Sequence, residues 1–244
     1  EKNMKLIVTE NYEEMSQQAT EIIIKTFQSQ PNGLYCFAGG DTPVKTLQLL
    51  CKAHEEKLID LTQAYYIELD EWVGLDQTNS GSCLAYLKKN LFEPAHIPLD
   101  HIHAFNSLSK NLVEECQRAN QYISAHNGLT LTLLGVGVNG HLGFNEPGVN
   151  PNYCAHIINL DEITQSVGKK YFDTNEILSQ GITLGIKQLM ESQIVIVEAN
   201  GAKKHEPIQR VINGDIDIMC PVTIINNHPQ AYLIVDRAAI KGDD

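Results

Sequence analysis

Residues 131–148 combine a short apolar stretch with a glycine-rich loop that carries polar side chains. The apolar residues 131–134 predict a buried strand, which would deliver the loop to the carboxyl edge of a sheet, where open α/β proteins bind ligands. On this loop His141 can exchange a proton near neutral pH, and Asn139 and Glu146 offer an amide and a carboxylate partner. The segment therefore predicts a proton-transfer site, and the competing interpretation is an ordinary loop histidine among turn-forming glycines.

A pair of adjacent acids, Asp70 and Glu71, ends a second apolar run that begins at Tyr65. Neighbouring residues of an extended chain point to opposite sides, so one acid can face a pocket while the other caps a helix or pairs elsewhere. The alternative is a helix N-cap followed by a solvated acid. The pair adds a second candidate for proton transfer.

A third segment, residues 34–47, again runs from a strand through glycines into a helix. Thr42 and Pro43 fit the N-cap and first-turn positions of that helix. Such a turn presents backbone N–H groups at the positive end of the helix dipole, where a phosphate or a carboxylate can bind. Asp41, at the centre of the turn, would repel an anion if its side chain faced inward.

Strand and helix patterns alternate between these segments, which predicts a mostly parallel central sheet with helices on both faces. We therefore expect a Rossmann-like α/β fold in which residues 1–244 form a single domain. The pattern predicts strands over 4–9, 129–134, 157–158, 193–197 and 231–235, with another ending at 69. It predicts helices over 12–29, from the glycine turn to about 56, and over 82–91, 112–125 and 204–213, with a helix or lid over 164–172.

Charge and cysteine usage narrow the class of protein. The formal net charge of −12 argues against a nucleic-acid or acidic-membrane partner. No apolar run approaches the ~20 residues that a membrane-spanning helix needs. His101 and His103 lack the spacing of a metal site, so no metal is expected. The six cysteines show no metal-like spacing and, although three disulfides are arithmetically allowed, predict free thiols of a cytoplasmic protein: Cys36, Cys51, Cys83, Cys116, Cys154 and Cys220.

Taken together, the segments resemble the glucosamine-6-phosphate deaminase/isomerase family, which includes galactosamine-6-phosphate isomerases and is related to 6-phosphogluconolactonases. The most specific blocks are LDEWVGL at 69–75 and GVGVNGHLGFNEPG at 135–148. AGGDTP at 38–43 and GITLGI at 181–186 support them. The resemblance covers nearly the whole chain, and the order and spacing of all four blocks are similar to those of the family.

The resemblance implies an enzyme that converts a hexosamine 6-phosphate into a ketohexose 6-phosphate plus ammonia without a cofactor. This hydrolysis of a C–N bond belongs to amino-sugar catabolism. In this family pattern Asp70 is the base that moves a proton between C2 and C1, His141 opens the pyranose ring, and Glu146 orients the histidine. A carboxylate in a pocket that excludes water can have a pKa near neutrality, as this proton transfer requires.

Two positions depart from the enterobacterial members of the family. Asn139 stands where those enzymes have an aspartate, so the imidazolium loses one anionic stabiliser and Glu146 is expected to become its partner. Asp41 replaces a small hydroxyl residue or glycine in the phosphate turn. As cations for the phosphate, the resemblance implies Lys204 and, at a position often occupied by arginine, Lys170. The full set of implied substrate-binding residues is Gly39, Gly40, Asp41, Thr42, Gly140, Lys170 and Lys204.

Four questions stay open at this point. A 6-phosphogluconolactonase would share the fold but would not need Asp70 beside C2 of a sugar. A non-catalytic sugar-phosphate sensor is a second alternative, because of Asn139 and Asp41. Glucosamine and galactosamine differ only at the C4 hydroxyl, so the preferred epimer is undecided. Family members range from monomers to hexamers, so a homo-oligomer is compatible with the sequence.

Overall fold

The computed structural model describes residues 4–160 and 178–243. The predicted helix or lid over 164–172, and Lys170 within it, lie outside these ranges. Two sheets are formed in the described part of the chain. The larger has seven strands in the order β1-β10-β9-β6-β2-β3-β5, and every neighbouring pair is parallel. Its strands are β1 Lys5–Thr9, β2 Leu34–Phe37, β3 Tyr65–Ile67, β5 Ile102–His103, β6 Leu131–Leu134, β9 Ile194–Ala199 and β10 Ala231–Asp236.

Helices cover both faces of this sheet. Along α1 the residues Met15, Ala19, Ile23 and Phe27 recur every four positions and are buried, which is the spacing of a helix face packed on a core. The side chain of Asn11 accepts the Glu14 N–H and begins this helix. The described helices are α1 Tyr12–Ser29, α2 Val44–Glu55, α3 Cys83–Leu87, α4 Leu112–Ala125, α5 Ile186–Met190, α6 His205–Ile212 and α7 Arg237–Lys241. None of them is long and apolar enough to cross a membrane.

A second, antiparallel sheet of three strands contains the acid pair. Its strands are β4 Asp70–Trp72, β8 Gln180–Thr183 and β7 His156–Asn159, in the order β4-β8-β7. The sequence did not predict this sheet. The strand predicted to end at Leu69 leaves the main sheet after Ile67, and the chain then pairs with β8, where Asp70 lies opposite Thr183. The acid pair is therefore attached to a different sheet from the glycine turns.

The predicted alternation is confirmed, and so is the parallel central sheet. Helices α1 and α4 have the predicted bounds, and α6 begins and ends within one residue of them. The helix predicted over 82–91 consists of α3 followed by a π-helical segment, Lys88–Phe92. The prediction that Thr42 is the N-cap of α2 is wrong, because the cap position is Pro43, which has no side-chain capping bond.

Glu198 is a fully buried carboxyl group on the central strand β9. Thr46 Oγ1, on α2, donates a hydrogen bond of 2.7 Å to its Oε2, and Oε1 has no hydrogen-bond partner among the described residues. Burial raises the pKa of Glu198 to about 8. The folded chain therefore holds this proton more tightly than the unfolded chain, and stability is lost as the pH rises toward 8.

We expect Glu198→Gln to become more stable relative to the parent chain as the pH rises from 5 to 9, because glutamine has no proton to lose. The difference in Tm between variant and parent should grow by about 3 °C or more, the shift that ~1 kcal/mol produces in a chain of this size. Thermal melts at several pH values measure it. Glu21→Gln, at an exposed position of α1, is the control, and its difference in Tm from the parent chain should not change with pH. A difference in Tm for Glu198→Gln that did not change with pH would contradict the prediction.

Candidate active site

A cavity of about 190 Å³ lies at the carboxyl ends of β9, β6, β2 and β3, which are adjacent in the main sheet. Each strand continues into a segment that contributes a cavity residue: Lys204 after β9, His141 after β6, Asp41 after β2 and Asp70 after β3. Parallel strands bring their carboxyl ends to one edge of a sheet, so these residues meet although they are far apart in sequence. The structure therefore places Asp70 and His141 on one cavity.

The Asp70 side chain lines this cavity and is 8% exposed. Burial raises the pKa of Asp70 to about 7, and the neighbouring charge of Glu71 adds to the rise. A hydrogen bond from the Cys83 thiol opposes it. At neutral pH this carboxyl group can therefore both accept and release a proton, which is the property that a general acid–base group needs.

Glu71 has the structural role predicted for one member of the pair. It is 1% exposed and its carboxylate accepts backbone N–H groups from Trp72 at 3.1 Å, Cys83 at 2.9 Å and Leu84 at 3.1 Å. Two of these N–H groups belong to the first turn of α3, whose N-cap residue Ser82 accepts the Ala85 N–H. Glu71 thus fixes the start of α3, and Cys83 with it, against the strand that carries Asp70.

The imidazole of His141 is held by Asn139. Asn139 Oδ1 lies 2.7 Å from His141 Nδ1 and also accepts the His141 backbone N–H at 3.1 Å. Asn139 Nδ2 donates to Glu146 Oε2 at 3.0 Å, which leaves Oδ1 as the atom that faces the ring. The neutral ring therefore carries its proton on Nδ1, and Nε2 has the lone pair that can accept one.

This geometry corrects the prediction that Glu146 replaces Asn139 as the partner of the histidine. Asn139 is the hydrogen-bond partner of Nδ1, and Glu146, which is buried, holds the amide of Asn139 in the orientation that makes this possible. An amide can do this because the bond to Nδ1–H needs only an acceptor oxygen. An uncharged amide therefore holds the ring by its Nδ1 atom in this chain.

Gly137 explains why the loop is rich in glycine at this point. A Cβ atom on residue 137 would lie 2.1 Å from two atoms of the His141 ring, so only glycine lets the imidazole lie against the backbone. The Gly137 N–H also donates to the His141 carbonyl at 3.1 Å. The glycines thus shape the pocket for the histidine ring.

The segment 181–186 connects the histidine loop to Asp70. The Leu184 N–H donates to the Leu69 carbonyl at 2.9 Å, next to Asp70. On the other side, Asn145 Nδ2 donates to the Leu184 carbonyl at 2.9 Å, and Thr183 Oγ1 accepts the Phe144 N–H at 3.2 Å. Residues 183 and 184 are therefore hydrogen-bonded to both segments, and this fixes the relative positions of the acid and the imidazole.

The glycine turn after β2 forms another wall of the cavity. The hydroxyl of Tyr12 is 2.9 Å from the carbonyls of Asp41 and Thr42 and accepts the Lys45 N–H at 3.3 Å. It therefore supplies to α2 the cap that Thr42 was predicted to provide. Asp41 Oδ1 accepts the hydroxyl of Tyr86 at 2.9 Å. Tyr86 thus holds the carboxylate whose orientation the sequence left open.

Lys204 also lines the cavity, at the position that precedes α6. Its ammonium group donates to the carbonyl of Val136, in the loop that leads to His141. This contact directs a positive charge to the cavity edge between the ends of β6 and β9. The neighbouring Lys203 is exposed.

Most of the predicted site residues line the cavity. Those that do are Gly39, Gly40, Asp41, Thr42, Asp70, His141 and Lys204. Asn139 and Glu146 lie behind His141, and Gly140, with a φ of 87°, packs against Cys220. The cavity wall also includes Trp72, Cys83 and Tyr86, which were not singled out as site residues from the sequence. Trp72 directly follows the acid pair, and its position could have indicated it. No feature of the sequence around Tyr86 indicated that residue.

The sequence matches the family described as glucosamine-6-phosphate isomerases/6-phosphogluconolactonase over residues 9–234. A glucosamine-6-phosphate deaminase of Oceanobacillus iheyensis is 34% identical over 239 residues, covering 98% of this chain and 96% of the relative. That of Halalkalibacterium halodurans is 33% identical and covers 98% and 97%.

Solved structures agree. A monomeric glucosamine-6-phosphate deaminase superimposes with a TM-score of 0.94 at 27% identity, covering 98% of this chain and 99% of that one. The 6-phosphogluconolactonase of Trypanosoma brucei has a TM-score of 0.78 at 18% identity, with 97% of both chains covered. At that identity the second likeness shows the fold alone.

Proposed function

The chain belongs to the family of glucosamine-6-phosphate isomerases and 6-phosphogluconolactonases, and from this premise we propose that it deaminates a hexosamine 6-phosphate. Substrate and water would give a ketohexose 6-phosphate and ammonia. The observation that carries the proposal is that Asp70, with a pKa of about 7, and His141 line one cavity. Isomerisation of an aldose needs a proton carrier at the carbon chain and another at the ring oxygen.

His141 is proposed to open the pyranose ring. With Nδ1–H bound to Asn139, Nε2 accepts the proton of the C1 hydroxyl and returns it to the ring oxygen as the bond between C1 and that oxygen breaks. The result is the open-chain aldehyde with its amino group still on C2. Glu146 contributes by fixing Asn139, and hence the ring.

Asp70 is proposed to carry out the isomerisation. Its carboxylate removes the proton from C2 of the open chain while the aldehyde oxygen takes up a proton, which gives an enolamine. The resulting carboxylic acid then delivers its proton to C1, and the amino group gives up one proton as its bond to C2 becomes an imine, so no proton is gained or lost overall. The product has an imine at C2 and a hydroxyl at C1. Addition of water to this imine and loss of ammonia give the ketose. A carboxyl group with a pKa near 7 suits both proton transfers, since it is neither a weak base nor a weak acid at neutral pH.

The phosphate is proposed to bind to the glycine turn and Lys204, which line the same cavity. Gly39, Gly40 and Thr42 would offer backbone and hydroxyl groups there. We also propose, from the family pattern, that Lys170 and Gly140 bind the substrate. Lys170 lies outside the described residues. Asp41 is held by Tyr86. We also propose that the chain forms a single domain and is cytoplasmic. A homo-oligomer is compatible with this proposal.

We expect Lys204→Ala to raise KM about tenfold or more with kcat changed less than about threefold, because a charged hydrogen bond to a non-reacting phosphate stabilises ground and transition states alike. Steady-state kinetics on the amino-sugar phosphate measure both constants. Lys203→Ala, the exposed neighbour, is the matched control and should behave as the parent chain does. An unchanged KM for Lys204→Ala would mean that the phosphate binds elsewhere.

Ammonia release tests the proposed function. The purified chain is incubated with glucosamine 6-phosphate and, separately, with galactosamine 6-phosphate, and ammonia and ketose phosphate are measured. Equal amounts of both products from either sugar support the proposal, and the relative kcat/KM values settle which epimer is preferred. Hydrolysis of 6-phosphogluconolactone without ammonia from either sugar would favour the lactonase. Tight binding of the sugar phosphates with no turnover would favour a sensor.

A further inference from the structure

Glu68 is a buried carboxyl group that the proposed reaction does not use. It lies between β3 and Asp70 and is 1% exposed. Its Oε1 accepts the Phe105 N–H at 3.0 Å, and its Oε2 meets no hydrogen-bond donor among the described residues. A buried oxygen without a donor is costly unless the group carries a proton and donates it.

The acceptor for such a proton is Glu71, three residues along the chain, whose side chain is near enough to that of Glu68 for each to change the pKa of the other. The two acids are in unequal surroundings. Three backbone N–H groups point at the Glu71 carboxylate and stabilise its negative charge, whereas Glu68 receives one. Hydrogen bonds to a charged form favour that form, so a single proton shared by the pair belongs on Glu68.

We propose that Glu68 is a positioning residue that carries a proton and donates it to Glu71, so that the pair holds one negative charge, located on Glu71 directly behind Asp70. This inference rests on the proposed function, because the charge acts on the base of the reaction. Burial raises the pKa of both acids; the charge of Glu71 raises that of Glu68 further, whereas the backbone N–H groups of Cys83, Leu84 and Trp72 lower that of Glu71. The same charge of Glu71 is a cause of the raised pKa of Asp70.

Other titratable groups near Asp70 do not supply this charge. The thiols of Cys36 on β2 and Cys83 on α3 have pKa values raised well above normal by burial, and both stay neutral. Asp41, His141 and Lys204 line the same cavity and are the same in every variant below. Glu71 is therefore the group through which Glu68 can change the proton affinity of the base.

The test compares two isosteric variants through the acid limb of the pH profile of kcat/KM. Glu71→Gln removes the charge, so the limb should move to lower pH by about one unit or more. Glu68→Gln keeps a donor for Glu71 and leaves the charge in place, so its limb should stay within about 0.3 unit of the parent. Ionisations of the substrate are common to all three proteins and cancel in the comparison. Equal movement of both limbs, or movement of neither, would overturn the proposal.

A readout without substrate separates this inference from the proposed function. Trp72 is the sole tryptophan of the chain, adjoins Glu71 and lines the cavity, so its fluorescence can be titrated with pH. The change in Trp72 fluorescence with pH that reports ionisation of Asp70 should be absent in Asp70→Asn. Its midpoint should move to lower pH in Glu71→Gln and should not move in Glu68→Gln. If the parent chain released no ammonia, the proposed function would fail while this titration still decided the inference.

Infrared spectroscopy covers the case in which Glu71→Gln does not fold. The spectrum of Glu68→Gln is subtracted from that of the parent chain at pH 6, so that the carboxyl groups of Asp70 and Glu198, present in both proteins, cancel. The difference should contain the carbonyl band of a protonated carboxylic acid. A difference spectrum without that band would overturn the proposal.

Discussion

Replacing Asp70 by asparagine should reduce kcat by about 10²- to 10⁴-fold, the range expected when a general acid–base group is removed. The amide has almost the same shape and can neither accept the C2 proton nor return one to C1. Binding should change little, because Asp70 is proposed to act on the carbon chain rather than on the phosphate. Turnover is measured by ammonia release, and binding by competition with a sugar phosphate that cannot react.

Transfer of hydrogen between carbons gives a second readout of the same variant. Substrate labelled with deuterium at C2 should lose or relocate its label with the parent chain and retain it with Asp70→Asn. Asp76→Asn, an exposed acid six residues further along, is the control and should react as the parent chain does. If Asp70→Asn kept most of its turnover, another group would have to be the base.

Replacing His141 by glutamine should impair reaction of the cyclic substrate by about 10²-fold or more, since glutamine cannot transfer the proton between O1 and the ring oxygen. An analogue without the C4 and C5 hydroxyls cannot close into a furanose or a pyranose and needs no ring opening. Its reaction should fall less than about threefold. Steady-state kinetics on both compounds give the ratio, and the ratio rather than either rate alone identifies the step.

Equal losses on the two compounds would remove His141 from ring opening and assign it a general role in binding. A matched variant is Asn139→Leu, which leaves the histidine in place and removes the acceptor at Nδ1. It should show the same preference for the open-chain compound, to a smaller degree, because the ring then loses its fixed tautomer and orientation.

The sequence predicted those parts of the fold and site that depend on local pattern. The apolar spacing along α1 indicated its extent, and strands followed by glycines indicated that the loops meet at the carboxyl edge. The opposite orientations of Asp70 and Glu71 also followed from the two-residue period of extended chain. Such signals lie within a few residues of the feature that they predict.

Features that depend on contacts between distant segments were missed or assigned to the wrong atoms. Strand β4 has three residues and pairs with β8, more than a hundred positions away, so no periodicity marks it. The cap of α2 comes from Tyr12 rather than Thr42. The partner of the imidazole was taken to be the charged residue, whereas the geometry of the loop gives that place to Asn139. Only the folded chain shows which of two chemically suitable groups is within reach.

The division of the cavity between two sheets has a consequence for the size of substrate. Lys204 and the glycine turn extend from the parallel sheet, whereas Asp70 belongs to the antiparallel one, and the hydrogen bonds of Leu184 join them. If the phosphate binds at the glycine turn and Lys204 as proposed, the distance from it to the Asp70 carboxylate depends on how the two layers meet. We then expect a pentose phosphate, shorter by one carbon, to react more slowly than a hexosamine 6-phosphate, because its C2 would lie farther from the carboxylate.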